Sequence, residues 1–253
     1  MNLEQLESTA KAMVAPGRGI LAADESTPTI GKRFDQINAE STEENRLIYR
    51  DMLFTTEGME DYISGVIMFD ETLRQSTVDR DVPFPKHLSG LGVIPGIKVD
   101  KGAKELAGFE GEKVTEGLDG LRDRLKEYYE LGARFAKWRA VITITEDAPS
   151  FACIDANAHA LAQYAALCQE ADIVPIVEPE VLMDGEHNME ASFEVTSEVL
   201  SSVFEALFRM DVYLEGIILK PNMVLSGYNC SEQASVDEVV EATVSCFQRF
   251  VPA

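Results

Sequence analysis

The chain has 253 residues, of which 45% are hydrophobic, and a formal net charge of −22. This length can bury the core of one large α/β domain or of two small ones. Because so acidic a surface repels nucleic-acid phosphates and anionic lipids, we expect neither nucleic acid nor a membrane as a partner. The four cysteines and three histidines lack the spacing of a disulfide framework or a zinc site, which favours an intracellular protein without a metal.

Six strand-like runs follow one another along the chain. They lie at residues 18–24, 63–69, 92–99, 133–142, 173–179 and 215–221. Segments with a helical pattern separate these runs. Helix starts are indicated by capping boxes at Ser41/Glu44 and Ser235/Glu238 and by Pro149 in a first turn, and Gly132 indicates a helix end. We expect the charge-rich segment EGEKVTE, residues 110–116, to be a solvated loop.

Strands that alternate with helices indicate right-handed βαβ units and hence a parallel sheet. No linker or composition break divides the chain, so we expect a single domain over residues 1–253. Two architectures satisfy this pattern: an open, doubly wound sheet and a closed barrel of eight units. No GxGxxG or GxxxxGK[ST] motif follows any strand, so a nucleotide site is not indicated.

Charged residues stand at or near the C-terminal ends of five of the six runs. Lys137 and Arg139 are two residues apart, so on a strand they share a face, and Glu178 and Glu180 do the same. The other charges at these ends are Asp24, Lys98 and Lys220. The C-terminal end of a parallel barrel carries the active site. The surplus of cations there predicts an anionic ligand such as a phosphate ester, although each charge taken singly also fits a solvated residue or an ordinary ion pair.

Lys220 ends the apolar run LEGIILK, where a buried ammonium needs a partner or a function. A lysine in an apolar wall beside another cation, here Lys137, can attack a carbonyl carbon as a free amine. A nearby glutamate could move protons during the carbinolamine steps. These residues therefore predict a lyase that works through a Schiff base.

Seven segments of the chain resemble sequence motifs of one family, the class I fructose-bisphosphate aldolases. They are APGRGILAADEST, TEENR, GVIPGIKVDKG, TEGLDGL, FAKWRAV, IVPIVEPEVL and YLEGIILKPNMV, in family order from about residue 10 to residue 252. The resemblance implies a (β/α)8 TIM barrel that forms a homotetramer, needs no metal or cofactor, and acts on sugar phosphates in glycolysis, gluconeogenesis and the Calvin cycle. It also implies a cytoplasmic location, with a plastid stroma as the alternative if a transit peptide has been removed.

The resemblance also implies roles for particular residues. Lys220 would form the Schiff base with the C2 ketone of fructose 1,6-bisphosphate, and Asp24 would take the C4 hydroxyl proton. Glu178 would act as acid and base, Lys137 would stabilise the developing oxyanion, and Glu180 would pair with these lysines. Lys98 and Arg139 are implied to hold the C6-phosphate end or to line its path. The first loop is implied to supply further substrate-binding residues, namely Ser26, Thr29, Lys32 and Arg33.

The family continues beyond the last residue of this sequence with a seventh and an eighth strand, whose loops bind the C1 phosphate. We therefore expect strands 1–6 of the barrel in this chain, with strands 7–8 missing, either because the sequence is part of a longer chain or because the protein is truncated. Two alternative functions stay open. One is an aldolase that prefers sedoheptulose bisphosphate or fructose 1-phosphate, and the other is a barrel fragment without catalytic activity.

Overall fold

The computed structural model describes residues 1–252. Its strands are β1 (Gly19–Ala23), β2 (Ile63–Met68), β3 (Ile94–Lys98), β4 (Ala103–Glu105), β5 (Lys113–Thr115), β6 (Phe135–Ile142), β7 (Val174–Val181) and β8 (Ile218–Leu219). Its α-helices are α1 (Leu3–Met13), α2 (Thr27–Asp35), α3 (Glu43–Phe54), α4 (Asp70–Leu73), α5 (Phe84–Gly90), α6 (Leu121–Glu130), α7 (Phe151–Glu170), α8 (Met189–Arg209) and α9 (Val236–Phe250). None of the described helices is long and apolar enough to cross a lipid bilayer.

The main sheet has six parallel strands in the order β1-β2-β3-β6-β7-β8. These strands correspond to the six predicted runs, although β8 is much shorter than its run, 215–221. The order of these strands across the sheet is the same as their order along the chain. The doubly wound alternative is therefore wrong, because that fold reverses its strand order at a switch point. The continuous order is that of a TIM-type α/β fold.

The inner face of the sheet is closed at its N-terminal end by α1, a helix that the sequence analysis did not predict. Leu6, Ala10 and Met13 lie on one side of α1, and they pack with Phe135 and Val174, the first residues of β6 and β7. The outer face of the sheet forms the larger core with the surrounding helices. The C-terminal end of the inner face therefore remains for polar residues.

A glycine makes room for a large ring in this inner layer. Gly96 of β3 is the register partner of Phe135, whose side chain is completely buried. A Cβ added at Gly96 would lie 2.5 Å from Cε1 of the Phe135 ring and closer still to Cζ and Cε2. The ring thus occupies the space of the missing side chain. It supports the strands two residues before they reach Lys98 and Lys137.

The ends of the helices agree only in part with the sequence signals. The capping box at Ser235 and Glu238 is confirmed, and Gly132 has the positive φ, +109°, expected just after a helix. The box at Ser41 is wrong because Thr42 is the N-cap and accepts a hydrogen bond from the Asn45 amide. The first-turn position of Pro149 is also wrong. It precedes the Ser150 N-cap, whose hydroxyl accepts from the Cys153 amide.

The segment expected to be a solvated loop, residues 110–116, instead contains β5, which forms an antiparallel hairpin with β4. Glu112 is buried and accepts hydrogen bonds from the amide and the hydroxyl of Ser150 at the start of α7. Buried polar contacts of this kind cannot be recognised from local charge density, because their partner lies 38 residues away in sequence.

Candidate active site

The inward-pointing charges of neighbouring strands meet at the C-terminal end of the sheet. Lys98 of β3 is the register partner of Lys137 of β6, and Arg139 is the register partner of Glu178 of β7. Register partners in a parallel pair present their side chains to the same face. The structure therefore brings together, at the C-terminal end of the sheet, the charged residues that the sequence predicted to meet there.

Lys137 lies at the centre of this group. Its Nζ donates to Oδ2 of Asp24 at 3.0 Å and lies 3.6 Å from Oε2 of Glu178. Its side chain is only 12% exposed. This burial by itself lowers the pKa of Lys137, but the negative charges of Asp24 and Glu178 outweigh it and hold the pKa above its usual value. Lys137 is therefore a fixed ammonium that links two carboxylates.

Glu178 connects this centre to Lys220. Glu178 is 2% exposed, and its Oε1 accepts a hydrogen bond from Lys220 Nζ. The side chain of Lys220 is 55% exposed, so within residues 1–252 no apolar wall encloses it. The physical reason is the position of β8 at the edge of the described sheet, where it pairs only with β7. Lys220 and Glu178 line a cavity of about 200 Å³ together with Asn222 and His187.

Glu180 pairs with Arg139 and not with the lysines as expected. It follows Glu178 by two residues and so lies one step farther toward the mouth on the same face of β7. At that level its partner is the guanidinium of Arg139, whereas Lys220 donates to Glu178 and Lys137 forms an ion pair with Glu178. The observed pair nevertheless keeps both Glu180 and Arg139 beside the predicted centre.

A second cavity, of about 420 Å³, opens between the first loop and strands β3 and β6. Its lining includes Ser26, Thr29 and Arg33 from the first loop and α2, and Lys98, Lys137 and Arg139 from the sheet. The hydroxyls of Ser26 and Thr29 are 3.0 Å apart. Lys32 is exposed and lies outside this lining, so the structure does not bring it to the site with the other predicted residues.

Three carboxylate or guanidinium groups near the site were not predicted. Asp100 accepts from the Gly102 amide and lies 3.5 Å from Lys98 Nζ. Glu25 pairs with Arg50, a fully buried arginine that also donates to the carbonyl of Ala23 and so supports the first loop. Arg50 could have been found, because it recurs with Arg46 and Phe54 at every fourth position on the buried face of α3.

The whole chain matches known proteins of one family. The model of the family described as glycolytic, class I fructose-bisphosphate aldolase, matches residues 5–253. The chain belongs to the class I fructose-bisphosphate aldolase family. Aldol cleavage of fructose bisphosphate, a lyase reaction, is the function of that family.

Individual aldolases agree with this assignment. The probable fructose-bisphosphate aldolase class 1 of Xanthomonas campestris is 64% identical over 253 residues, which is 100% of this chain and 75% of the relative. The fructose-bisphosphate aldolase of Dictyostelium discoideum is 52% identical over 98% of this chain and 70% of its own. A co-crystal structure of the Plasmodium falciparum aldolase with TRAP and an inhibitor has a TM-score of 0.96 and 50% identity. It covers 98% of this chain and 72% of that one.

The charge balance at this candidate site differs from that of the whole chain. The two cavities are lined by six cations and five carboxylates, namely Arg33, Lys98, Lys113, Lys137, Arg139 and Lys220 with Asp24, Glu25, Asp100, Glu178 and Glu180. The chain as a whole has twice as many acidic as basic residues. The predicted local surplus of cations is present, and it favours an anionic ligand over a neutral one.

Proposed function

We propose that this protein cleaves fructose 1,6-bisphosphate reversibly to dihydroxyacetone phosphate and glyceraldehyde 3-phosphate through a Schiff base at Lys220. The observation that carries the proposal is the continuous chain of contacts from Lys220 to Glu178, from Glu178 to Lys137 and from Lys137 to Asp24. It joins a nucleophile, a proton carrier, a fixed cation and a base at the end of a parallel sheet.

Glu178 is placed to manage the protons of Schiff-base formation. It accepts the proton of the Lys220 ammonium, which frees the amine to attack the C2 carbonyl and form a carbinolamine. It then returns a proton to the departing hydroxyl, which leaves as water and gives the iminium. Because Glu178 is buried and already hydrogen-bonded to Lys220, the first of these proton transfers needs no rearrangement of the two side chains.

Asp24 is the base for carbon–carbon cleavage in this proposal. It accepts the proton of the C4 hydroxyl, the C3–C4 bond breaks, and the electron pair moves into the iminium to give an enamine and glyceraldehyde 3-phosphate. Protonation of the enamine at C3 and hydrolysis of the iminium then release dihydroxyacetone phosphate and Lys220. Lys137, a permanent cation beside both carboxylates, stabilises negative charge on the substrate oxygens.

The remaining charges suit the phosphate at C6. Lys98 and Arg139 from the strand ends, together with Ser26, Thr29 and Arg33, line the 420 Å³ cavity beyond Asp24. Guanidinium and ammonium groups with nearby hydroxyls are the donors that bind phosphate esters. Lys32, which is exposed outside the cavity, has no part in this proposal.

We also propose the larger assembly from the family. The complete barrel would have eight β/α units, of which the six in this chain correspond to strands 1–6, and strands 7–8 with the C1-phosphate loops would lie outside it. The matched part of the Xanthomonas campestris relative, 75% of its length, is consistent with this assignment. A cytoplasmic homotetramer that serves glycolysis, gluconeogenesis or the Calvin cycle completes the proposal.

Borohydride trapping with dihydroxyacetone phosphate tests the mechanism. We expect reduction to leave a stable adduct on Lys220, located by peptide mapping, and none in Lys220→Met. Lys32→Met is the matched control, because it removes an exposed lysine outside the cavities and should keep the adduct. Folded protein that cleaves the sugar without any adduct would refute the Schiff base. Faster cleavage of sedoheptulose bisphosphate or fructose 1-phosphate would select an alternative substrate, and no cleavage would indicate the non-catalytic fragment.

A further inference from the structure

We infer that Lys113 is a substrate-binding residue that increases the preference of this aldolase for sugars phosphorylated at the end remote from Lys220. The inference rests on the proposed function and adds a specificity-determining residue to it. Lys113 lies on the hairpin β4–β5 and lines the rim of the 420 Å³ cavity together with Lys98 and Arg139.

The backbone of Lys113 is held by a buried amide. Nδ2 of Asn157, a buried residue of α7, donates to the carbonyl of Lys113 at 2.8 Å. Oδ1 of the same side chain accepts from the Thr115 amide at 3.2 Å. One side chain thus holds both ends of β5.

A second anchor joins the hairpin directly to the sheet. The Thr115 hydroxyl donates to the carbonyl of Arg139 at 2.7 Å. Lys113 is two residues before Thr115, so both side chains project from the same face of β5, the face toward β6. These contacts fix the Cα of Lys113 relative to the strand that carries Lys137 and Arg139. Only the flexible lysine side chain remains to adjust to a ligand.

The charge of Lys113 is the least neutralised in the cavity. Its ion pair within residues 1–252 is with Glu105, at 3.9 Å, and both side chains are well exposed. An exposed pair at this distance contributes almost nothing to stability. The other cations of the same cavity have closer acidic partners, as in Arg33–Glu25, Lys98–Asp100, Lys137–Asp24 and Arg139–Glu180. Lys113 can therefore turn to a phosphate without breaking a strong interaction.

Lys113 shares its cavity with Asp24 and Lys137 but lies apart from the lysine that forms the Schiff base. Lys220 belongs to the other cavity, with Glu178 and Glu180. A cation that contacts only the remote phosphate binds substrate and transition state equally, so its removal raises KM and leaves kcat unchanged. It should also leave a substrate without that phosphate unaffected.

The test compares Lys113→Met with Lys104→Met on fructose 1,6-bisphosphate and on fructose 1-phosphate, which lacks the C6 phosphate. Lys104 is the matched control, because it is exposed on the same hairpin, pairs with Val114 and so projects from the opposite face, outside the cavity. We expect Lys113→Met to raise KM for the bisphosphate about tenfold, equivalent to about 1.4 kcal/mol. We expect kcat to stay within about twofold, KM for the monophosphate to stay unchanged, and Lys113→Arg to retain most of the affinity.

Three results would overturn the inference. Equal KM values for Lys113→Met and Lys104→Met would show that Lys113 does not touch the substrate. Equal losses on both sugars would show that the substitution disturbs the hairpin and not a phosphate contact. Wild-type protein that cleaves neither sugar would refute the proposed function itself, and with it the role of Lys113, so the two failures are distinguishable.

Discussion

Gly96→Ala offers a direct test of how the inner layer supports the site. The added Cβ would lie within 2.5 Å of three atoms of the Phe135 ring, whereas non-bonded carbons stay about 3.5 Å apart or more. The ring must therefore move by about 1 Å, and it is completely buried in a close-packed layer. Overpacking of this kind costs about 1–3 kcal/mol, and we expect the upper end of that range because three ring atoms clash at once.

Urea denaturation measures this cost, with the fluorescence of the buried Trp138, the only tryptophan of the chain, as the probe. The matched control is Gly19→Ala, also in a strand of the main sheet, where an added Cβ meets nothing within 4 Å. Phe135→Leu placed in the Gly96→Ala background should recover at least about half of the loss, because the smaller side chain vacates the contested space. A Gly96→Ala stability within about 0.5 kcal/mol of the Gly19→Ala value would refute the packing argument.

Three further predictions concern the reactivity of the cysteines, the stability of the fold at low pH and a helix cap. Iodoacetamide at pH 8 should modify Cys230 first, because Cys230 is partly exposed whereas burial raises the pKa of Cys153 to about 11. Mass spectrometry that finds the first label on Cys153 would contradict this prediction. The hydrogen bond from Arg46 lowers the pKa of Glu71 in the folded protein. The ionised Glu71 therefore stabilises the fold fully above the pKa of an unfolded glutamate, about 4.3, and this contribution is lost as the pH falls through the lowered pKa of the folded state. The stability difference between wild type and Glu71→Gln should therefore shrink on acidification, and a constant difference would refute the linkage. Ser235→Ala should cost about 1 kcal/mol in urea denaturation by removing the N-cap of α9, and no loss would mean that the cap is not needed.

The parallel strands were predictable because each has a strong local signal. In FAKWRAV, alternation places Lys137 and Arg139 on one face, and VEPEV does the same for Glu178 and Glu180. The hairpin β4–β5 was not predictable in this way. Its strands are three residues each, and its anchor, Asn157, belongs to a helix that begins about 36 residues after β5 ends.

The sequence by itself determined where the six parallel strands lie, which charged residues share a face of a strand and which end of the sheet carries the charges, since these properties follow from the spacing of neighbours along the chain. Only the tertiary structure decided which charges pair. Arg139 binds Glu180, Glu178 binds Lys220, and Lys113 reaches the cavity rim. The physical reason is that strand register and the docking of a hairpin on a sheet arise from contacts between segments far apart in the chain. A pattern of neighbouring residues cannot predict such contacts.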